Sequence, residues 1–471
     1  MSKIKSFLSQ NSLLNSALWY TVGTFLLKGI NFLTMPIFTS LLGDSGFGTM
    51  SLYSTWSSIF AVFIGLGISG TISSAAVNID KDEYDQYLSS TLFLSTISFI
   101  VVMILFLIFK NPLTNFIGFS SNLIILLIVQ SFFSFVIDFV SSKFVFDKNH
   151  RSYLIVSAIV TFINVGLSIM LISNINSPDE KYFGRIFGMA ISTILVGIIL
   201  YIKIILKGKK LVAMNHWKFC IPLALPIIFH NLSHLVLTQA DRIMLDKFTT
   251  DAAVGLYSVA YNVGMMLNVL HMALNNSWVA WYFDALKGNK VKEIKETAKK
   301  YIIVFTVITC LFVLASPEVL KIMSSKEFWG SAIQIPMIIL GYYFVFLYTF
   351  SVNYEFYIKN TKFIAIGSVL ASISNVVLNL ILIPKYAGFG AAIATAVSYF
   401  MLFIIHEFIV RVIYKHRDFK FNLYIYSIGA VTAVMIINAI FINSLIIRLI
   451  IGLIILGIAA IYAKKNLLNF K

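Results

Sequence analysis

The stretch Ile186-Phe187-Gly188-Met189-Ala190-Ile191-Ser192-Thr193-Ile194-Leu195-Val196-Gly197-Ile198-Ile199-Leu200-Tyr201 contains no charge and little polarity. At helical rise a bilayer crossing needs about 20 mostly apolar residues, and apolar neighbours extend this stretch to roughly 183–206. Thirteen further stretches read the same way, at roughly 14–40, 46–77, 87–109, 121–142, 152–173, 219–245, 252–283, 300–316, 328–358, 362–383, 387–412, 422–442 and 445–463. Apolar residues make up 59% of the 471 and charged residues 12%, which excludes a soluble protein. The sequence predicts an all-α integral membrane protein of about fourteen transmembrane helices.

The net charge of +16 invites a nucleic-acid partner, but its distribution excludes one. Counted over alternate loops, 26 of the 36 Lys and Arg fall on one side and eight on the other, the eight including Lys181, Arg185 and Arg448. Basic loops stay cytoplasmic, so an even number of spans places both termini in the cytoplasm. Lys28 and Arg242 fall within spans. The densest basic loop, Lys287–Lys300, carries Val291, Ile294 and Ala298 at helical spacing and predicts a short cytoplasmic helix. Cys220 and Cys310 match no metal or redox spacing and read as small apolar fillers.

The opening stretch also recurs. Gly188-Met189-Ala190-Ile191-Ser192-Thr193 aligns with Gly390-Ala391-Ala392-Ile393-Ala394-Thr395, and Ile163-Asn164-Val165 with Ser374-Asn375-Val376. Phe47-Gly48-Thr49-Met50-Ser51-Leu52-Tyr53 aligns with Val254-Gly255-Leu256-Tyr257-Ser258-Val259-Ala260. Offsets of 207, 211 and 202, in chain order, define two six-span repeats of the same orientation, a geometry for alternating access. The expected division is an N-lobe at 1–210 (spans 1–6), a C-lobe at 211–418 (spans 7–12), and two added helices in 419–471.

A charge in mid-span costs about 2.5–3.5 kcal/mol on insertion scales, so it needs a partner or water. Lys28, with Asn31 one turn on, and Arg242, beside Asp241, either form structural pairs with Asp241 or another acid, or face a shared cavity and hold an anionic headgroup. Arginine bonds two phosphate oxygens with its planar fork, whereas lysine acts as a point charge. Asp138 with Lys143, and Glu355 with Lys359, predict interfacial salt bridges; Glu407 is expected to snorkel. His230 and His234 share a helix face without a third metal ligand. His271 and Asn275 predict interhelical hydrogen bonds, and Trp278, Trp281 and Tyr282 an interfacial belt. Pro36, Pro222 and Pro226 are expected to bend the first helix of each repeat. No catalytic triad, phosphate-binding loop or HExxH occurs. No enzyme and no organic cofactor is expected.

Pro36-Ile37-Phe38-Thr39-Ser40-Leu41-Leu42-Gly43 with Gly46-Phe47-Gly48, and Leu225-Pro226 through Gln239-Ala240-Asp241-Arg242 with Val254–Tyr261, resemble over the whole chain the polysaccharide flippases of the multidrug/oligosaccharidyl-lipid/polysaccharide (MOP) superfamily. The resemblance implies a V-shaped fold of two pseudo-symmetric six-helix lobes plus two C-terminal helices. It implies movement of undecaprenyl-pyrophosphate-linked oligosaccharide, of the O-antigen or capsule kind, from the cytoplasmic to the periplasmic leaflet of a bacterial inner membrane. Other polysaccharide-assembly membrane proteins would be its neighbours. Lys28 and Arg242 would hold the pyrophosphate, and Asn31, His230, His234, Tyr257 and Tyr261 are candidate lumen contacts. In the related lipid II flippases an acid on span 7, two polar residues on span 11 and a threonine with a backbone carbonyl on span 12 hold sodium. Asp241, Asn375 with Asn379, and Thr395 with Ala391 match those positions, with a sodium ion or a proton as the coupling ion. Asn379 departs from that branch, which carries an acid there. A cation-coupled multidrug exporter and a membrane-embedded polymerase or ligase are the competing readings.

Overall fold

The computed structural model describes residues 12–360, 362–417 and 419–466, with the backbone alone at 12–29, 31, 463, 465 and 466. Its long elements are helices α1 (Ser12–Gly65), α2 (Ile72–Asn78), α3 (Lys81–Ile108), α4 (Lys110–Ile117), α5 (Ser121–Phe146), α6 (His150–Ser173), α7 (Lys181–Gly208) and α8 (Met214–Phe248). There follow α9 (Asp251–Lys287), α10 (Val291–Met323), α11 (Ile335–Tyr357), α12 (Lys362–Phe408), α13 (Phe421–Ile440) and α14 (Leu445–Asn466). There is no strand among the described residues. A helix satisfies its own backbone donors and acceptors, which an apolar medium demands.

Among the described residues, twelve helices are long and apolar enough to cross a membrane. Two of them, α1 and α12, are broken internally at Gly43 (φ 66°) and Ala387 (φ 47°). Dividing them there yields fourteen segments, as the sequence predicts. The breaks do not fall at the prolines: α1 runs on through Pro36, and α8 through Pro222 and Pro226. A proline removes one backbone donor, and the rest of the helix ladder can continue, whereas a left-handed residue reverses the chain direction. Glycine adopts that conformation freely. Ala387 is a rarer occupant, followed by Gly388, where a Cβ would crowd the Gln334 amide at 2.9 Å. The predicted short basic helix is not separate: α10 begins at Val291 and continues unbroken to Met323. Ile294 and Ala298 are buried on its inner face.

The chain forms two compact units. The first contains residues 1–42 and 49–239. Within it α6 and α7 pack closely because Gly184 and Gly188 lie against Ile172 and Ser168; a Cβ on Gly188 would sit 2.3 Å from the Ser168 hydroxyl. Small residues four apart permit such approaches between membrane helices. Polar side chains cross-link the interior. Tyr53 donates to Gln130 (2.8 Å), Ser57 pairs with Ser131 (3.1 Å), and the Thr71 hydroxyl meets both Tyr87 (2.7 Å) and Cys220 (3.5 Å). Along α3 the residues Ile97, Ile100, Val101, Ile104, Leu105 and Ile108 stand exposed, a face suited to acyl chains rather than water.

The second unit contains residues 43–48 and 240–471. Its core is aromatic: Trp278 stacks on Tyr282 and Tyr301 at 5.3 Å, and Phe305 on Phe346 at 4.0 Å. Trp278 and Tyr282 are core residues, not members of an interfacial belt, because α10, α11 and Phe419 cover them. Arg448, counted in the sequence as a loop cation, lies in α14 at 2% exposure and forms a bidentate pair with Glu318 of α10, both bonds 2.5 Å. It also donates to the carbonyls of Leu314 (2.7 Å) and Phe441 (3.2 Å). This clamp fastens the appended helices to α10.

Gly188→Leu should lower the thermal midpoint of the detergent-solubilised protein, at a cost of about 1–3 kcal/mol for overpacking. Gly166→Leu, at a glycine with open space around it, should leave the midpoint within a degree or so of the parent under the same conditions.

Candidate functional site

Asp241 is the centre of a buried polar cluster in the second unit. It lies on α8 and is fully buried. Three donors from two other helices bond its carboxylate. From α9, Tyr257 donates its hydroxyl to Oδ2 at 2.5 Å. From either arm of α12, Asn379 donates Nδ2 to Oδ1 at 2.6 Å and Thr395 donates its hydroxyl to Oδ2 at 2.8 Å. The break at Ala387 folds the two arms of α12 so that residues 379 and 395 reach one carboxylate. Behind them Asn375 donates to Thr395 at 3.5 Å and accepts from Asn379 at 3.1 Å. Asp241, Asn375, Asn379 and Thr395 are therefore local to one another, and Ala391 is buried one turn before Thr395. The Asn379 Oδ1 atom is buried and has no hydrogen-bond partner among the described residues.

Arg242, next on α8, turns to a different neighbour, as a 100° step between adjacent helical residues requires. It is 6% exposed; its Nε donates to Ser258 at 3.1 Å and its guanidinium lies 4.8 Å from the Tyr261 ring. A cation over an aromatic face gains about 0.5–2 kcal/mol, and the planar group is held flat by that contact. Tyr257 and Tyr261 belong to this inner cluster with Tyr342: ring centroids are 5.8 Å and 5.9 Å apart. The Tyr257 hydroxyl is committed to Asp241. His230 and His234, in the first unit, are both exposed. The side chains of Lys28 and Asn31 lie outside the described residues.

Several charged residues take partners that linear spacing did not reveal. Glu355 bonds not Lys359 but His406 of α12, at 2.5 Å with both groups wholly buried. Glu407 does not snorkel: Ser351 donates to it at 2.5 Å and Arg411 pairs with its other oxygen. Lys143 pairs with Asp147. Asp138 instead opens onto a cavity of about 630 Å³ in the first unit, shared with Ser69, Ser73, Ser134, Ser141 and Tyr153. Asn275 accepts from Asn353 at 3.0 Å, the interhelical bond expected of it. His271 faces Asn268 on its own helix, at 3.4 Å. Each long-range partner is supplied by a helix tens of residues away, and only folding brings it near.

The scaffold is polytopic and all-helical, with a buried, hydrogen-bonded carboxylate where a broken helix folds back. Solved structures share this fold. A structure of the lipid II flippase MurJ in an inward closed conformation superposes with a TM-score of 0.75 at 18% identity, covering 95% of this chain and 99% of that one. An inward-facing multidrug resistance MATE family transporter of the MOP superfamily gives 0.63 at 14% identity, over 88% and 95%. The chain thus has the MOP fold. Residues 13–282 match the polysaccharide biosynthesis protein family, and the chain belongs to that family. An uncharacterised membrane protein of Haemophilus influenzae is 24% identical over 369 residues, 77% of this chain and 88% of the relative. The two solved structures are of a flippase and a transporter.

Tyr257→Phe removes a hydroxyl bonded to a buried carboxylate and should cost about 1.5–3 kcal/mol, read as a lower thermal midpoint. Tyr424→Phe deletes a buried hydroxyl that has no partner among the described residues, and should be neutral or slightly stabilising in the same assay.

Proposed function

We propose that the protein is a lipid-linked oligosaccharide flippase. Its cargo on this reading is an undecaprenyl-pyrophosphate-linked repeat unit of a surface polysaccharide, O-antigen or capsule, carried from the cytoplasmic to the periplasmic leaflet of a bacterial inner membrane. Both termini are cytoplasmic, the side favoured by the 26 basic residues. Movement is by alternating access of the repeats, 1–210 and 211–418, with 419–471 added to them.

The observation that carries this reading is the adjacency of a hydrogen-bonded carboxylate, Asp241, and an aromatic-braced guanidinium, Arg242, on one helix turn of a polysaccharide-family chain. Arg242, with Lys28, suits a pyrophosphate. Asp241 with Asn375, Asn379, Thr395 and Ala391 suits a hard monovalent cation, which favours oxygen donors. The donor set fits: it has one formal charge, and the unpartnered Asn379 Oδ1 is a further oxygen beside it. Among the described residues no group of three His, Cys, Asp or Glu could hold a multivalent metal. Either sodium or a proton would neutralise Asp241 and release Arg242 from the neighbouring negative charge. The field at the headgroup would then become more positive. Cation occupancy and headgroup affinity would rise together.

A multidrug exporter of the same superfamily is disfavoured by the same residues, because an organic cation would meet Arg242 and Lys28 as like charges.

Lys28→Ala and Arg242→Ala should each abolish surface polysaccharide in a deletion strain while reaching the membrane at normal levels. Normal polysaccharide from both variants would exclude the headgroup assignment. Asp241→Asn, tested in proteoliposomes, should flip at a rate that no longer responds to an imposed sodium or proton gradient.

A further inference from the structure

The repeat register carries Asn164 onto Asn375 at an offset of 211, and the same offset carries Ser168 onto Asn379. In the second unit that pair adjoins the Asp241 carboxylate. In the first unit the corresponding pair adjoins a positive group. Arg185, in the second turn of α7, donates from Nη1 to Asn164 Oδ1 and to Ser168 Oγ, the latter at 2.8 Å. Its guanidinium carbon lies 3.9 Å from the centroid of Phe38 on α1. The repeat places Thr34, an uncharged residue, opposite Asp241 at the offset of 207. No carboxylate among the described residues pairs with Arg185.

The backbone explains how the side chain arrives there. Gly184 and Gly188 flank Arg185 and draw α7 against Ile172 and Ser168 of α6. With the helices this close, an arginine between the two glycines reaches the oxygens on the α6 face. A guanidinium without a counter-ion is costly inside a membrane protein. This one is met by an amide oxygen, a hydroxyl oxygen and an aromatic face. Those are the neutral donors of a cation site, and Nε is left buried without a partner among the described residues.

We infer that Arg185 is a resident cation: it permanently fills, in the first repeat, the counterpart of the exchangeable cation site at Asp241. The two repeats have diverged in charge at one equivalent place. The first unit carries its positive charge covalently, and the second carries a carboxylate that takes one from solution. The chain therefore has one exchangeable site, a count that rests on the coupling role proposed for Asp241.

Two measurements on the purified full chain test this. In the first, thermal midpoints are taken for Arg185→Ala, Arg185→Met and Arg185→Lys with and without low-millimolar guanidinium chloride, and with equal sodium chloride. Arg185→Ala should melt several degrees below the parent and recover with guanidinium but not with sodium. Arg185→Met, which fills the space without charge, should stay low in both. No recovery of the alanine variant overturns the inference. If that variant does not accumulate, the lysine and methionine variants decide: a lysine midpoint above the methionine one supports a required charge, and equal midpoints overturn it. The second measurement counts bound radioactive sodium. One ion per chain, lost in Asp241→Asn and kept in Arg185→Lys, is the expected result. Two ions in the parent overturn the resident-cation assignment while leaving coupling at Asp241 intact. No bound sodium together with guanidinium recovery keeps Arg185 as the resident cation and removes sodium from Asp241.

Discussion

A carboxylate sealed among helices in an apolar medium has to be satisfied by the protein itself, and Asp241 shows what that demands of the second unit. Its two oxygens accept from Tyr257, Asn379 and Thr395. Those donors sit on α9 and on both arms of α12. Two features follow from that requirement. The second arm of α12 has to return at an angle that delivers Thr395 beside Asn379, which the unusual backbone at Ala387 permits. Gly390 has to lack a side chain, because a Cβ there would lie 2.4 Å from the Leu382 carbonyl on the opposing arm. Removing one hydrogen-bond donor from such a buried charge costs about 1.5–3 kcal/mol. The site is thus held by the same contacts that hold the fold.

Much of this was legible in the sequence, and the parts that were not share a physical cause. A bilayer-length apolar stretch is a signal averaged over some twenty residues, so all fourteen segments could be found without knowing any contact. The members of the Asp241 group were named through the resemblance to the lipid II flippases, whose polar positions on spans 7, 11 and 12 they match. Helix breaks were harder. Proline marks a missing donor, which α8 tolerates twice, whereas the actual reversal at Ala387 depends on φ, which alanine does not advertise. Pairings across the bundle were hardest. Glu355 has Lys359 four residues on, yet bonds His406, 51 residues away. An i, i+4 spacing is one of several offers to a charged group, and a buried partner with no competing water prevails. The aromatic residues around Trp278 failed for a related reason: a cluster of Trp and Tyr has the same composition whether it borders a membrane or fills a core.

The repeats give a stricter test of which residues bear function, since each supplies a control for the other. Gly188 and Gly390 serve the same purpose, letting one helical segment approach the one before it, against Ser168 in the first unit and Leu382 in the second. Residues kept for packing thus stay alike. Asn164 and Asn375 also stay alike, but their neighbours have opposite sign, a guanidinium in one unit and a carboxylate in the other. Packing alone gives no reason for that inversion, because either unit could have filled the space with an apolar side chain. An uncompensated charge is the more expensive choice in a membrane.

Charge of opposite sign at equivalent places also bears on how a cation and an anionic headgroup would influence one another. Asp241 and Arg242 are consecutive on α8, and their side chains diverge to different partners. Two unit charges 4 Å apart at an effective dielectric constant of about 20 interact by about 4 kcal/mol. Neutralising one of two such charges shifts the potential at the other in the sense that favours an anion at the cation. Arg242 is also fixed in place, by Ser258 and the Tyr261 ring, so little of that change is lost to side-chain rearrangement. A cation arriving at Asp241 need move no helix to be felt by an anion at Arg242. Electrostatic adjacency on α8 is sufficient to link the two occupancies, and rigidity of the aromatic bracket determines how much of the link survives.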